Sequence, residues 1–386
     1  MARGSRRSLL RLAPCLLLFA SLPVGTASAV DGVVEINQSC ATQTGCFSGD
    51  TPGYPVTIDA SAGRSYRLTG DLVVPTNVVG IWIQVRGVTI DMNGFSLSSS
   101  ACANLDCSGG GASTGNGIMA ASPSSQTPAD GITVHGGTIV GMWRGLALST
   151  QSRVYDMTIR SSTGQGILVG ESSVVRDVVV EDGNSLGIQA ASGTRIENSV
   201  VDGNASHGIW IGSGIVSGCT ATHNGTNGIL AEGSVLRGNT VHSNLVGIDA
   251  DSSSILVENH VSQNAEDGIV MGGGLAQGNT VTDNLHAGIR FSQPSSSAPA
   301  SILDNVVTRN GFSGIDLRGG GGRSLVRGNN ASLNAGYGLR LDDPNAPDAI
   351  YQDNLMHDNG SGTVTGGVNR GGNSCRNLVG AVTDCP

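Results

Sequence analysis

"GNTVHSNLVGID" (Gly238–Asp249) and "GNTVTDNLHAGIR" (Gly278–Arg290) share the order Gly, Asn, Val, Asn, Gly and Ile. From Gly145 onward, the Gly of the Gly-Ile or Gly-Leu step recurs at intervals of 19 to 26 residues. It stands at Gly145, Gly166, Gly187, Gly208, Gly228, Gly247, Gly268, Gly288, Gly314 and Gly338. A repeat of this length is typical of solenoids, in which each copy packs on its neighbours.

Asn forms two further columns in register with the glycines. The first contains Asn198, Cys219, Asn239, Asn259, Asn279, Asn305, Asn329 and Asn354, and the second Asn224, Asn244, Asn264, Asn284, Asn310, Asn334 and Asn359. Because Asn amides can hydrogen-bond to turn backbone and to the Asn of the next copy, we expect both columns at corners. Cys219 takes an Asn position, so we expect a small buried thiol without a catalytic role.

The stretches within one copy are short and β-like. "GIWIG", "GILAE" and "SILVEN" are rich in β-formers and are separated by Gly, Asn and Ser turns. The density of Gly and Asn argues against helices, and the pattern of leucine-rich repeats is absent. The sequence therefore predicts a parallel β-helix with three short strands per coil. Its inward ladder would contain Ile209, Ile229, Ile248, Ile269, Ile289 and Ile315, each preceded by a Gly in a turn with positive φ.

The N-terminus has the pattern of a secretory signal. Four Arg residues precede or enter the apolar stretch "LAPCLLLFASLPVG", and small residues follow at Ala27-Ser28-Ala29. We expect cleavage after Ala29 and a secreted or periplasmic protein, because the apolar run is too short to span a membrane. Loss of residues 1–29 would change the formal net charge from −9 to −13. Such an acidic chain disfavours nucleic acid and anionic membrane surfaces as partners.

Close cysteine pairs in an exported protein predict disulfides. We expect Cys40–Cys46, Cys102–Cys107 and Cys375–Cys385. A metal site is the weaker alternative, since no C-x-x-C spacing occurs and no His lies near a pair. No metal site is therefore predicted.

Two upstream stretches carry a family resemblance: "VTIDMNGFSL" (Val88–Leu97) and "DGITVHGGTIVGMWRGLAL" (Asp130–Leu148). With the G-N-x-V-x-x-N-x-x-x-G-I copies, they make the chain resemble the right-handed parallel β-helix repeat proteins, the pectate-lyase-like superfold that includes NosD-type periplasmic proteins. The resemblance implies an all-β, right-handed solenoid of about a dozen coils of roughly 20–26 residues. This superfold hosts lyases, hydrolases, epimerases and adhesins, so it implies no single activity.

We expect a signal peptide at 1–29, an N-terminal cap at 30–80, the β-helix at 81–365 and a disulfide-closed C-terminal cap at 366–386. Caps are needed because the ends of a solenoid expose core and sheet edges. The longest insertions, 98–130 and 292–301, are of the kind that often carries binding in repeat proteins. We expect a monomer.

Candidate site residues follow from strand alternation, since the residue after each ladder Ile points outward. A saccharide groove is one hypothesis for this face. Its catalytic candidates are Asp316, Tyr337, Arg340, Asp342 and Asp343, and its substrate-binding candidates are Trp210, Asp249, Asp251, Arg290 and Arg318. The alternative is a charge ladder, in which Arg290, Asp316 and Arg340 alternate in sign and keep a parallel sheet soluble and in register.

Known catalytic motifs of the superfold are incomplete or absent. Asp342-Asp343 resembles one fragment of the polygalacturonase signature, whose G-H-G and R-I-K parts are missing, and the chain contains no Lys. His223, His242 and His260 fall on successive copies, but alternation places His223 on the opposite side from the other two. We therefore expect no convergent histidine metal centre.

The leading functional hypothesis is a secreted scaffold that binds polysaccharide or cell-surface glycan without a cofactor, although surface Asp and Asn oxygens could bind calcium. One alternative is a polysaccharide lyase, glycoside hydrolase or epimerase with its site on the Asp316–Asp343 face. Another is a non-catalytic adhesin or envelope structural protein.

Overall fold

A computed structural model describes residues 32–59, 63–102, 105, 107, 113–121, 129–251, 253–292, 299–318, 323–342, 349–377, 382–383 and 385. The expected signal peptide and Asp343 lie outside these residues. Parallel strands wind into a solenoid whose coils each contribute, in chain order, to three faces that we name A, B and C. The predicted all-β solenoid is confirmed.

Face A is a single parallel sheet that takes one strand from each coil, fourteen strands within the described residues. They are Val56–Ile58, Ile81–Ile83, Ile118–Ala120, Leu146–Leu148, Ile167–Val169, Ile188–Ala190, Ile209–Ile211, Asn227–Ala231, Val246–Ala250, Ile269–Met271, Ile289–Phe291, Ile315–Asp316, Tyr337–Arg340 and Gly362–Thr365.

Faces B and C are joined through two long strands, Thr133–Val140 and Arg153–Arg160, that run along both. The other strands of face B are Val33–Ile36, Ser65–Leu68, Thr89–Asp91, Val174–Arg176, Arg195–Glu197, Ile215–Ser217, Val235–Arg237, Ile255–Val257, Gly274–Gln277, Ala300–Leu303, Leu325–Arg327, Ile350–Gln352 and Val368–Asn369. Those of face C are Leu72–Val74, Ser96–Ser99, Val179–Glu181, Val200–Asp202, Thr220–Thr222, Thr240–His242, His260–Ser262, Thr280–Thr282, Val306–Thr308, Leu355–His357 and Ser374–Arg376, the last of which pairs antiparallel with Val382–Thr383.

The core is an aliphatic stack in the interior of the solenoid. The predicted ladder is confirmed, since Ile209, Ile229, Ile248, Ile269, Ile289 and Ile315 are in register and fully buried. Burial of a side chain of this size contributes roughly 1.5–3 kcal/mol. The repeat thus places the same inward residue in every coil.

Glycine precedes each ladder residue for a different reason from the one expected. The column glycines Gly208 to Gly314 do not have positive φ. A Cβ on Gly228 would lie 2.4 Å from Val241 Cγ1 and 2.6 Å from Asn244 Nδ2. The side chains of the next coil therefore approach this backbone too closely for any other residue.

Both Asn columns form buried ladders at the corners, as predicted. Asn259 is representative: its backbone N and its Nδ2 both donate to Asn279 Oδ1, at 3.0 and 2.9 Å, and Nδ2 also donates to the Leu236 carbonyl at 2.9 Å. Repetition of this pattern satisfies polar groups that would otherwise be buried without partners. The ladders fix one coil on the next.

The prediction for Asn198 is wrong. The register aligns Ser199 with Cys219, and Ser199 is buried, whereas Asn198 is exposed with a φ of 49°. Cys219 does take an Asn position: its backbone N donates to Asn239 Oδ1 at 2.9 Å, and its side chain is buried. Burial raises the pKa of its thiol to about 11.

The three expected disulfides are present: Cys40–Cys46, Cys102–Cys107 and Cys375–Cys385. The first closes over one turn of π-helix, Cys40–Thr44. Parallel pairing extends into both segments expected as caps, because Val56–Ile58 pairs with the next strand of face A and Val368–Asn369 pairs on face B.

Candidate functional site

One continuous row of side chains runs along the outside of face A. It consists of the residues that follow the inward ladder, and the register aligns each with the next. This outward column is Thr57, Trp82, Met119, Ala147, Leu168, Gln189, Trp210, Leu230, Asp249, Val270, Arg290, Asp316, Arg340 and Thr365. Five of the candidate residues lie on it as predicted, and it changes from apolar and aromatic to charged after Leu230.

The C-terminal end of the column forms a charge cluster around Phe312. Arg318 Nη2 and Nε donate to the Asp316 carboxylate at 2.8 and 3.0 Å, and the Asp316 side chain is only 3% exposed. This forked hydrogen bonding raises the pKa of Arg318. The guanidinium groups of Arg318 and Arg340 each lie 5.6 Å from the Phe312 ring.

The remaining catalytic candidates lie beside this cluster. Arg340 Nε is 3.4 Å from Asp342 Oδ1, but it makes no hydrogen bond in the described residues. Tyr337 is half-buried, and a Cβ on Gly362 would lie 3.2 Å from its ring. The structure therefore brings Asp316, Arg340 and Asp342 together with Arg318.

The charges on the column do not pair along it. Arg290 and Asp316 are register neighbours, yet Arg290 Nε donates to Asp267 Oδ2 at 2.5 Å, and Asp316 pairs with Arg318. Asp267 immediately precedes a column glycine, and its side chain is 5% exposed. The expected alternating ladder is thus replaced by pairs that join the column to its flanking turns.

Asp249 lies in a second polar cluster that sequence reasoning missed. Asn227 Nδ2 donates to Asp249 Oδ2 at 3.2 Å, and His207 Nδ1 lies 2.9 Å from Thr226 Oγ1. Burial raises the pKa of Asp249, outweighing the opposite effects of the Asn227 amide and Arg290. Burial also lowers the pKa of His207 below its ordinary value, against the effect of the Asp249 charge.

His207, Asn227 and Asp267 share a signal that was available in the sequence. Each immediately precedes a glycine of the repeat. From there the side chain can reach the outward column of the following coil, as Asn227 reaches Asp249 and Asp267 reaches Arg290. The residues that immediately precede the repeat glycines therefore form a second row on the face A surface, beside the outward column.

Asp251 belongs to a turn rather than to this surface. Its Oδ1 accepts hydrogen bonds from the Gly233 N–H at 2.7 Å and from Ser254 Oγ at 3.0 Å. Burial opposes ionisation here, but the hydrogen bonds outweigh it and lower the pKa of Asp251. The carboxylate stabilises the connection from face A to face B.

Trp210 borders an open depression of about 230 Å³ on the apolar half of face A. Its lining is apolar except for a few groups at the rim. It consists of Leu168, Val169, Gln189, Ala190, Ala191, Ser192, Trp210, Gly212 and Glu232. Trp210 therefore lies on a concave part of the surface.

The histidines of face C approach more closely than alternation predicted. The rings of His223 and His242 are 5.9 Å apart, and His223 Nδ1 lies 2.8 Å from Asp202 Oδ1. His223 has a φ of 51°, which breaks the alternation and explains the error. Within the described ranges, no group of three or more His, Cys, Asp or Glu is placed to hold a metal ion.

No helix among the described residues has the length and apolarity needed to cross a membrane.

Several solved structures are similar to this chain. The A-module of the Azotobacter vinelandii mannuronan C-5 epimerase AlgE4 is 14% identical, with a TM-score of 0.48 over 83% of this chain and 91% of that one. The periplasmic alginate epimerase AlgG, in a mutant form, is 14% identical with a TM-score of 0.44 over 78% of each chain. The catalytic domain of a GH87 α-1,3-glucanase is 11% identical with a TM-score of 0.45, over 88% of this chain and 70% of that one.

No curated protein matches the sequence. A family model described as the right handed beta helix region matches residues 150–322 and 272–378, which together exceed half of the chain. The matched residues contain both Asn ladders and the outward column from Leu168 to Thr365. The chain belongs to the right-handed β-helix family.

Proposed function

We propose that the protein is an exported scaffold that binds a polysaccharide or cell-surface glycan along face A. The observation that carries this proposal is the outward column, which holds apolar, aromatic and charged side chains in register on successive coils from Trp82 to Arg340. Its members are spaced by about 4.8 Å along the solenoid axis. A linear glycan offers repeated C–H faces and hydroxyl groups that such a row can contact.

The state of the carboxylates supports binding rather than catalysis at the predicted catalytic residues. Asp316 and Asp267 are nearly buried, and each is held by an Arg. A carboxylate whose oxygens already accept hydrogen bonds from a guanidinium has little surface left to contact a substrate. The paired Arg groups are 41% and 42% exposed, so they can still donate to hydroxyls.

Export is supported by the cysteines. Three disulfides occur within the described residues, and disulfides persist mainly in oxidising compartments. The signal peptide at residues 1–29 remains a sequence prediction.

A glycan-modifying enzyme is the second candidate, and the cluster at Asp249 favours it. The pKa of Asp249 is raised and that of nearby His207 is lowered, both by burial. Such opposed shifts are typical of acid and base pairs in active sites. In that case the reactive residues would be Asp249 and His207 rather than Asp316 and Asp342.

The test is a binding survey of the purified protein against plant, algal and bacterial polysaccharides, with product release followed in the same samples. Arg340→Gln on face A is compared with Arg237→Gln, an exposed ion-pair residue on face B. We expect the affinity for the bound polymer to fall about tenfold in the first variant, as for loss of a charged hydrogen bond. The second should bind like the unaltered protein.

Equal affinity of both variants would show that the glycan does not contact the charged half of face A. Release of product that is lost in Asp249→Asn would favour the enzyme over the scaffold. Failure to bind any polymer would overturn the proposal and favour an envelope structural role.

A further inference from the structure

We propose that the depression beside Trp210 is a subsite for a single uncharged sugar ring. This inference rests on the proposed glycan-binding function and deepens it by naming the class of ligand. The depression lies wholly within described residues, on the apolar half of face A, away from the paired charges that follow Leu230. Three features of the depression select the ligand: the apolar surface of Trp210, the oriented amide of Gln189 and the negative charge of Glu232.

Trp210 supplies the platform. Its indole is half-buried, between Gln189 and Leu230 in the register, and Leu168 and Ala190 line the depression beside it. A pyranose ring has one face of C–H groups, and an aromatic ring binds such a face through apolar contact. The depression is open, so a ring within a longer chain can enter without a free end.

The Trp210 indole N–H is also available to a ligand. Trp82, on the same column, donates its Nε1 to the Ala121 carbonyl at 2.8 Å. Trp210 Nε1 has no such partner among the described residues. The indole can therefore donate to a hydroxyl at the edge of the stacked ring, since Trp normally satisfies this donor on burial.

A relay of side chains fixes the orientation of Gln189. Arg144 Nε donates to Gln165 Oε1 at 2.7 Å, and Gln165 Nε2 donates to Gln189 Oε1 at 3.0 Å. The Arg144 guanidinium lies 4.0 Å from the Trp143 ring centre, which holds the start of the relay. Because the Gln189 oxygen is occupied, its amide N–H groups remain as donors for a sugar hydroxyl.

The charge at the depression disfavours an acidic sugar. Glu232 is exposed at the rim, and no Arg or His lines the depression among the described residues. A uronate or sulfate would approach Glu232 without a cation to compensate, whereas a neutral ring can donate its hydroxyls to this carboxylate. The subsite therefore fits an uncharged hexose or pentose unit.

The test measures affinity, by titration calorimetry with the purified protein, for neutral gluco-, manno- and xylo-oligosaccharides and for oligogalacturonates and oligoalginates. We expect neutral oligosaccharides to bind and Trp210→Ala to weaken that binding about tenfold. The matched control is Tyr155→Ala, which removes an outward aromatic ring stacked on His135 on face B. It should bind with unchanged affinity.

Glu232→Lys provides an independent reversal. The position is exposed, so the variant should fold, and it should gain affinity for the acidic oligosaccharides while the unaltered protein does not bind them. Absence of this gain would contradict the role given to Glu232.

The outcomes separate this inference from the proposed function. Preferential binding of the acidic oligosaccharides, or binding that responds to Arg340→Gln but not to Trp210→Ala, would overturn the neutral subsite and leave glycan binding on face A intact. Loss of binding in Trp210→Ala but not in Tyr155→Ala supports it. Binding of neither class would overturn both.

Discussion

Arg290 on the outward column donates from Nε to Oδ2 of Asp267, which lies at the edge of face A on the preceding coil. The Asp267 side chain is 5% exposed, whereas that of Arg290 is 42% exposed. Asp267 Oδ1 also accepts the Ala287 N–H at 3.0 Å. One carboxylate thus joins the turn and the strand of the following coil.

We expect Asp267→Ala to lower the free energy of unfolding by about 2 kcal/mol, because it removes a charged hydrogen bond and the acceptor of a buried N–H. Asp283→Ala is the matched control: its partner Arg309 is 56% exposed, and Asp283 itself is 39% exposed. That pair should contribute about 0–1 kcal/mol. Urea unfolding of both variants measures the difference, and equal losses would contradict a structural role for the buried pair.

A substitution at the centre of the Asn ladder should lower the free energy of unfolding more than Asp267→Ala does. Asn264 accepts from the Asn244 N–H at 3.0 Å and donates to Asn284 Oδ1 at 2.8 Å. Asn264→Ala leaves the buried Asn244 N–H without its acceptor and the Val241 carbonyl without the Asn264 amide, whereas Asn284 Oδ1 still accepts from the backbone N–H of residue 264. We expect a loss of about 3 kcal/mol in unfolding free energy. Asn184→Ala, at an exposed position, should change it by less than about 0.5 kcal/mol.

Thermal unfolding followed by circular dichroism can also show whether Asn264→Ala makes unfolding less cooperative. Since each coil contacts only its neighbours, the transition of Asn264→Ala should broaden or split. A melting temperature equal to that of Asn184→Ala would show that the ladder contributes no net stability.

The Cys219 thiol should be inert in the folded protein. Its pKa of about 11 leaves roughly a thousandth of it as thiolate at pH 8, and the side chain is 1% exposed. We expect no reaction with an aromatic disulfide reagent under native conditions and full reaction in denaturant. The signal lost in Cys219→Ser after denaturation should equal one thiol per chain, and rapid labelling before unfolding would contradict the burial.

The repeat makes the fold predictable because one pattern determines many coils. Each inward Ile and each corner Asn is constrained by an identical neighbour, so a slip in register would disrupt every copy. Where the pattern weakens, the prediction fails. Residue type favours Asn198 for the first Asn column, whereas the buried residue at this position is Ser199.

The candidate surface was predictable only in part. Alternation placed Trp210 and Arg290 outward correctly, but it could not identify their partners. Ion pairs such as Arg290 with Asp267 depend on side-chain reach across a turn, which no strand period encodes. His223 shows the same limit, because a single residue with positive φ redirects its side chain.

The contribution of Asp249 to stability depends on pH in the opposite direction from that of a carboxylate held in an ion pair. Burial raises its pKa in the fold, so its contribution is favourable below the ordinary Asp pKa of about 3.9 and is lost as the pH rises through the raised value. Asp249→Asn is neutral at every pH. We therefore expect this variant to melt at a higher temperature than the unaltered protein at pH 7, with the difference disappearing near pH 3.5.

His207 acts in the opposite pH range. Burial lowers its pKa, so the unfolded chain binds a proton first and stability falls as the pH drops below about 6.5. His207→Gln should make this loss of stability between neutral pH and pH 5 smaller. Over the same range, Asp249→Asn affects stability only by removing the carboxylate. Melting curves of both variants across this range check the signs, with Asp182→Asn, at an exposed position, as the control. A higher melting temperature of Asp249→Asn that persisted unchanged down to pH 3.5 would mean that packing, rather than the desolvated charge, accounts for the effect.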